Sequence, residues 1–295
     1  MSFYSDQVIR DGAIAYWRLD ETSGIIAKDS IGGNDGTISG GVTLGQPGAL
    51  ADSSTAMRFN GVDGKIVSSS TLSYPVACTF EVWFNTINTT GSVGIIGNRF
   101  TLLDGIVVIA TAANGSGLFV DSYVGGNNVI SGVKFISDGI WHHVVWTTNG
   151  SIGTIYIDGV QSIQGAQPHV ALTEKFQIAY DNFQNKYFDG LVDEVAIYPT
   201  ALSPSQIANH YGLSKLTNPF GTLINIGVPT PLVQSQIYSL PPRISYITST
   251  APVEVSLDGN TFIPLTGAEG TGARTGSQYL RSLNSTCSVI AKYRR

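Results

Sequence analysis

The sequence predicts an all-β protein: a sandwich of sheets closed by one short helix, with a small second β unit behind it. Three observations carry this. Short apolar or alternating runs recur along the chain, among them "AIAYWRL", "CTFEVWFNT", "WHHVVWTTN", "GTIYIDGV" and "LVDEVAIY", and Gly, Asn and Asp separate nearly all of them. Charged residues are 13% of the 295, against 34 glycines and 42% hydrophobic residues, so Ser, Thr, Asn, Gln and backbone must cover much of the surface, as in a turn-rich β fold. A single stretch, "LSPSQIANHYG", carries a complete set of helix signals.

The elements follow in chain order. Trp17, Trp83, Trp141 and Trp146 each lie in an apolar run and read as core, because burying so large a side chain contributes more than displaying it. In "RFNGVDGKIV", Asn60-Gly61 and Asp63-Gly64 supply a tight connection between two strands. The period of two in "WHHVVW" sets His142 and His143 on opposite faces, which predicts one buried and one exposed imidazole. "IYIDGVQS" is the clearest hairpin, since Asp158-Gly159 can take the positive φ values of a type I′ turn. Adjacent on a strand, Asp193 and Glu194 should point to opposite faces, which rules them out as a facing pair of glycosidase carboxylates.

The helix is read from its ends. Ser203 caps it, Pro204 suits its first turn, Gln206 completes a capping box, and Gly212 is expected just beyond its last turn. Ile207 and Tyr211, four apart, give it one apolar stripe to lay on the sandwich. After it, "LTNPFGTLINIGVPTPLVQ" holds Pro219, Pro229 and Pro231 and reads as an extended linker. The expected organisation is a sandwich over 1–215, a linker over 216–234 and a small β domain over 235–295, whose core is small enough to need a neighbouring surface.

Composition excludes several function classes. A net charge of −5 and a pI near 5.3 give no basic field for a phosphate backbone, so nucleic acid is not an expected partner. No run approaches the ~18 apolar residues of a membrane span. Met1–Leu19 has no basic start, and Asp6, Arg10 and Asp11 interrupt any apolar run, so no secretory leader is expected. Two distant cysteines, Cys78 and Cys287, predict buried thiols rather than a disulfide framework. The chain has no Walker-type Gly-rich loop, His-Glu-x-x-His, Cys-x-x-Cys or Gly-x-Ser-x-Gly.

Six segments in order, "AYWRLDETSG", "KDSIGGNDGTI", "AMRFNGVDGKIV", "FEVWF", "WHHVVWTTNGSIGTIYIDGV" and "FDGLVDEVAIYPTALSPSQIANHY", resemble the laminin-G-like branch of the concanavalin A-like lectin/glucanase superfamily. The resemblance covers residues 13–212 and implies a jelly-roll sandwich of two antiparallel sheets. It also implies that calcium can be bound between an early loop and the strand before the closing helix. On this chain those positions are Asp29 and Asn34 in "KDSIGGNDG" and Asp193 on the strand, and loop carbonyls would complete the oxygen shell calcium needs. The alternative is that Asp29 pins its own loop by hydrogen bonds. The Glu-x-Asp-x-x-Glu strand motif of the superfamily's retaining hydrolases is missing, so catalysis of that kind is not expected.

The fold alone does not select a function. The C-terminal sequence from "VEVSLDGNTF" onward resembles terminal domains of bacteriophage structural proteins. With no leader, that points to a non-enzymatic virion surface protein, a head decoration or tail-fibre component. It is expected to form a dimer or trimer among other virion proteins, made in the host cytoplasm and carried on the particle. The alternative is a carbohydrate-binding adhesin for host-surface glycan. "AYDNFQNKYF" gathers Tyr180, Asn182, Phe183, Asn185 and Tyr187, the aromatic faces and amides that a sugar site or a protein interface would use. A glycan-cleaving enzyme is third, for want of a paired acid.

Overall fold

The computed structural model describes residues 3–51, 54–87, 93–98, 107–112, 118–124, 128–131, 136–168, 172–182 and 184–215, and seven short strands between 230 and 293. Two short helices occur among them, α1 (Phe3–Arg10) and α2 (Pro204–Ser214). The strands up to α2 are β1 (Ala15–Trp17), β2 (Ile26–Ala27), β3 (Gly36–Ser39), β4 (Val42–Pro47), β5 (Thr55–Asn60), β6 (Lys65–Tyr74), β7 (Cys78–Asn85), β8 (Val93–Gly97) and β9 (Val107–Ala112). They continue as β10 (Leu118–Val124), β11 (Asn128–Ser131), β12 (His142–Thr148), β13 (Ile152–Ile157), β14 (Val160–Ala166), β15 (Leu172–Ile178), β16 (Tyr180–Asp181), β17 (Lys186–Tyr187) and β18 (Asp189–Tyr198).

These form two eight-stranded antiparallel sheets and one small hairpin. The first sheet runs β14-β13-β12-β7-β18-β5-β4, with β1 also paired to β18. The second runs β11-β10-β9-β8-β15-β6-β3-β2, and β16 pairs only with β17. Strands adjacent in sequence often sit in different sheets: β5 and β6, joined by the Asn60-Gly61 turn, belong to opposite sides. That is the jelly-roll architecture expected.

The core lies between the sheets. From the first come Cys78, Phe80, Val82 and Phe84 on β7, Val144 and Trp146 on β12, and Val192, Val195 and Ile197 on β18; Ile66, Phe176 and Ile178 face them from the second. Stacking of Trp17 on Phe176 at 5.4 Å and the edge contact of Phe80 with Phe176 tie the two layers. Cys78 is buried as a free thiol, and burial pushes it up to about 12; Cys287 lies outside the described residues.

β7 and β12 depart from a simple two-faced strand, since every residue from Cys78 to Phe84 and from His142 to Thr148 is buried. Their inward face meets the core and their outward face is covered by α2. The capping box of α2 forms as expected: Ser203 accepts from the Gln206 N–H, and the Gln206 side chain accepts from the Ser203 N–H at 2.9 Å. The helix nevertheless runs through Gly212 to Ser214, because its end is set by burial of Ser214 and not by a left-handed glycine. A second departure is α1, a helix not expected from the sequence; Val8 is fully buried, and Gly12 follows the helix end with a left-handed φ of 85°.

Two compact units divide the chain. One is Gln7–Leu216; the other gathers Thr217–Arg295 with Met1–Asp6. In the second, Thr230–Pro231, Ile244–Ser249 and Ser288–Tyr293 form one antiparallel sheet, and Ile237–Ser239, Val253–Ser256, Ile263–Leu265 and Tyr279–Ser282 form another. No described helix is long and apolar enough to cross a membrane.

Candidate functional site

The early loop is pinned from within. Asp29 Oδ1 accepts from the backbone N–H groups of Tyr16 and Ile31 at 2.9 and 3.0 Å, and Oδ2 accepts from the Asn34 backbone and side-chain amides at 3.2 and 3.1 Å. A carboxylate has about four acceptor sites, so these four donors fill it. Asn34 Oδ1 takes the Ser70 hydroxyl at 2.8 Å, and Asp35 pairs with Lys28 at 2.6 Å. Asp29 and Asn34 are thus brought together as partners of one another, with their oxygens turned to N–H and O–H donors.

Asp193 belongs to a different neighbourhood. Ladder register between β18 and β7 shifts between Asp193 and Ala196, and Glu194 takes a left-handed φ of 50°, so a bulge interrupts the strand here. Val192 and Val195 both enter the core, which leaves both intervening carboxyls on the side away from it. The expectation of opposite faces therefore fails, because strict alternation holds only in an unbulged strand. Asp193 Oδ2 accepts from the Ala49 N–H at 2.8 Å, while Oδ1 is buried with no hydrogen-bond partner. Glu194 takes the Tyr16 hydroxyl and lies 3.7 Å from Arg18 Nε. Burial, then the adjacent Glu194 charge, raises the Asp193 carboxyl well above its ordinary range.

Both carboxyls are fully buried. A substrate cannot reach them between Tyr16, Arg18 and the 48–50 backbone. For calcium the fit is poor: Asp29 has no site left, and no group of three or more His, Cys, Asp or Glu side chains suited to a metal occurs among the described residues. Asp193 Oδ1 alone keeps a lone pair without a donor.

A second buried network lies under α2. Glu81, the one acid of "CTFEVWF", accepts from His143 Nε2 at 2.6 Å, from the Tyr198 hydroxyl at 2.6 Å and from His210 Nδ1 at 3.0 Å; His210 Nε2 donates to Asp11 at 2.8 Å. Burial alone would lower the His210 imidazole, but the Glu81 charge and the hydrogen bonds with Asp11 and Glu81 raise it to about 9. Burial would likewise raise Glu81, and the His210 charge with the hydrogen bonds of both imidazoles holds it well below its usual range. His142, also fully buried, sits between Asp158 at 2.9 Å and Asp138 at 3.2 Å. Both imidazoles of "WHHVVW" are therefore buried on opposite faces, because the outer face is roofed by α2. This network was not singled out from sequence; a lone acid in an apolar strand, and a histidine three residues after Ile207 on the same helical face, were its signals.

The aromatic hairpin is partly exposed: Tyr180 is buried at 8% relative exposure, Tyr187 is half-buried, and Asn182 and Asn185 are exposed. Ala179 takes a left-handed φ of 62° at the end of β15, its N–H bonds Ile95 O at 2.6 Å, and its carbonyl accepts from Phe188 N at 2.9 Å. Just after Ala179, β16 packs so closely on β8 that a Cβ at Gly94 would come within 2.8 Å of Asp181. Tyr180 and Tyr187 face each other across the pair and stack at 4.7 Å. The Tyr180 hydroxyl donates to Asn182 Oδ1 at 3.3 Å and to Asn185 Oδ1 at 3.2 Å, and Asn185 is itself left-handed, with φ 51°. Burial, then the neighbouring Tyr187, raises the Tyr180 phenol. Lys65, from the start of β6, lays its ammonium 4.3 Å from the Tyr180 ring centre and 5.7 Å from that of Tyr187. Tyr180, Asn182, Asn185 and Tyr187 thus come together, while Phe183 lies outside the described residues. Lys65 was not among the expected residues, since only the pairing of β6 beside β15 brings it there.

A family profile described as the concanavalin A-like lectin/glucanases superfamily matches residues 59–208. The chain belongs to that superfamily. Among solved structures it is similar to domain 4 of AbnA, an extracellular GH43 arabinanase of Geobacillus stearothermophilus solved with arabinotriose (21% identity, TM-score 0.54, covering 69% of this chain and 98% of that one). It is similar also to the binding domain of Paraclostridial Mosquitocidal Protein 1 (16%, TM-score 0.53, 87% and 64%). A Trypanosoma rangeli sialidase solved with a difluoro-KDN compound is a third (15%, TM-score 0.50); there the match covers 68% of this chain and only 32% of the sialidase. No curated protein sequence matches the chain. The lectin-type neighbours agree with the jelly-roll fold of this superfamily member and, at these identities, speak to fold alone.

Proposed function

We propose that the superfamily domain is a non-catalytic carbohydrate-binding module whose site is the Tyr180–Tyr187 hairpin. The observation that carries this is the stacked tyrosine pair with Asn182 and Asn185 beside it and Lys65 over it. A pyranose offers an apolar C–H face to an aromatic ring and hydroxyls to amides; the half-buried Tyr187 ring, backed by the buried Tyr180, and the exposed amides of Asn182 and Asn185 meet both needs. The adjacent acids that could have suggested hydrolysis, Asp193 and Glu194, are sealed from solvent, which supports the non-catalytic reading. Calcium enters the proposal only at Asp193 Oδ1, and a melting temperature unchanged by chelator would remove it. The test of binding is a glycan array followed by titration calorimetry. Tyr187→Ala, at a half-buried position, should abolish binding while the variant still unfolds cooperatively at a slightly lower temperature; binding undiminished by that substitution would refute the assignment of the site.

The setting we propose is the surface of a bacteriophage particle, as head decoration or tail fibre, with the chain in a dimer or trimer beside other virion proteins. What supports it is the C-terminal resemblance and the second compact unit of small antiparallel sheets that follows the sandwich. Such short sheets gain most from pairing with another chain. Protein identification in purified virions, with analytical ultracentrifugation of the full chain, is the test. A monomeric chain that copurifies with no particle would exclude it.

A further inference from the structure

We infer that the saccharide is an acidic one, carrying a carboxylate as a uronic or nonulosonic acid does, and that Lys65 selects it. This rests on the carbohydrate-binding reading of the same hairpin. The Lys65 ammonium meets two ring faces and no carboxylate among the described residues. A ring quadrupole holds a cation in place but does not replace an oxygen acceptor, and the ammonium brings three N–H donors. Donors therefore remain for an oxygen ligand beside Tyr187.

Nearby groups reinforce that bias. The one proton of the Tyr180 hydroxyl is shared between the oxygens of Asn182 and Asn185, and both side chains are exposed, so their amide N–H groups remain as donors. The Lys65 ammonium and the two amides bring several N–H donors to the site. Two acids are close in sequence, but neither is paired with Lys65. Asp63 is held in its own turn by Gly41 N–H at 2.9 Å and Asn60 Nδ2 at 2.8 Å. Asp181 is buried, and the pairing of Tyr180 with Tyr187 puts Asp181 and Lys186 on the other face of the hairpin. The chain's net charge of −5 opposes an anion at long range, but charges beyond about 8 Å are largely screened at physiological salt. The local cation decides.

The experiment uses the full chain on an array of neutral and carboxylate-bearing oligosaccharides, with the best acidic binder also tested after conversion of its carboxylates to methyl esters. Binding should concentrate on acidic glycans, fall on esterification and weaken as salt is raised. Lys65→Gln should weaken it about ten- to a hundredfold, the range for losing a hydrogen bond to a charged group, and Lys65→Arg should restore most of it. Melting curves confirm that both variants fold. Neutral glycans bound as well as acidic ones, with Lys65→Gln indifferent and Tyr187→Ala dead, would overturn the acidic class and keep the hairpin as a sugar site. Acidic binding that neither substitution alters would overturn the role of Lys65 and the site together. No glycan bound at all would overturn the carbohydrate reading itself.

Discussion

Replacing Glu81 by Gln removes one charge from a fully buried site while keeping its shape. In the native protein the carboxylate faces His210, raised from 6.5 to about 9. That rise of about 2.5 pH units, at about 1.36 kcal/mol per unit, corresponds to roughly 3 kcal/mol of stability. Asp11 supplies part of it, so about 2–3 kcal/mol is the share Glu81 controls directly; leaving the imidazolium buried without its partner brings the expected cost of Glu81→Gln to about 3–5 kcal/mol. For a domain of this size that is a fall of roughly 10 °C in melting temperature. The sign in pH follows from a folded-state value above the unfolded one. The contribution is complete below about pH 6.5 and is lost as pH rises through about 9. Calorimetric melting of the full chain between pH 6 and 10 should therefore show a decline across 6.5–9 that Glu81→Gln nearly flattens. Proton titration of His210 by NMR should place its midpoint near 9 in the native protein and well below in the variant. A wild-type curve flat across that window, or a Glu81→Gln curve parallel to it, would refute the reasoning.

Two further substitutions probe the acidic pair and its surroundings. A Cβ at Gly48 would lie 2.6 Å from Ser54 O and 2.8 Å from Asp193 Oδ2, so Gly48→Ala should destabilise by about 1–3 kcal/mol in denaturant unfolding, and a neutral result would mean that the 48–54 loop shifts freely. Asp193 has its carboxyl raised, so the folded state favours the proton and loses stability as pH climbs above the ordinary aspartate range. Asp193→Asn should therefore melt higher than wild type at pH 7 with chelator present, and the gap should close toward pH 4. A lower melting temperature for Asp193→Asn in calcium, and not in chelator, would instead indicate a bound ion.

What the sequence by itself determined was everything encoded over a few residues. Period-two runs made strands, Asp158 and Gly159 took φ values of 54° and 78° in the predicted hairpin turn, and Ser203 with Gln206 capped α2, because each depends on atoms two to four positions apart. The cluster of Tyr180, Asn182, Asn185 and Tyr187 was legible for the same reason. Local rules also marked their own failures: alternation said that Asp193 and Glu194 diverge, and the bulge at Glu194 reversed it. The remainder was decided by tertiary structure. Glu81 and His210 are 129 residues apart and meet only because α2 folds over the outer face of β7. Lys65 reaches Tyr180 only because β6 pairs with β15. A buried ion pair and a cation over a ring depend on distances of a few ångströms, and between residues so far apart in the chain those distances are set by how the sheets stack, which no local pattern records.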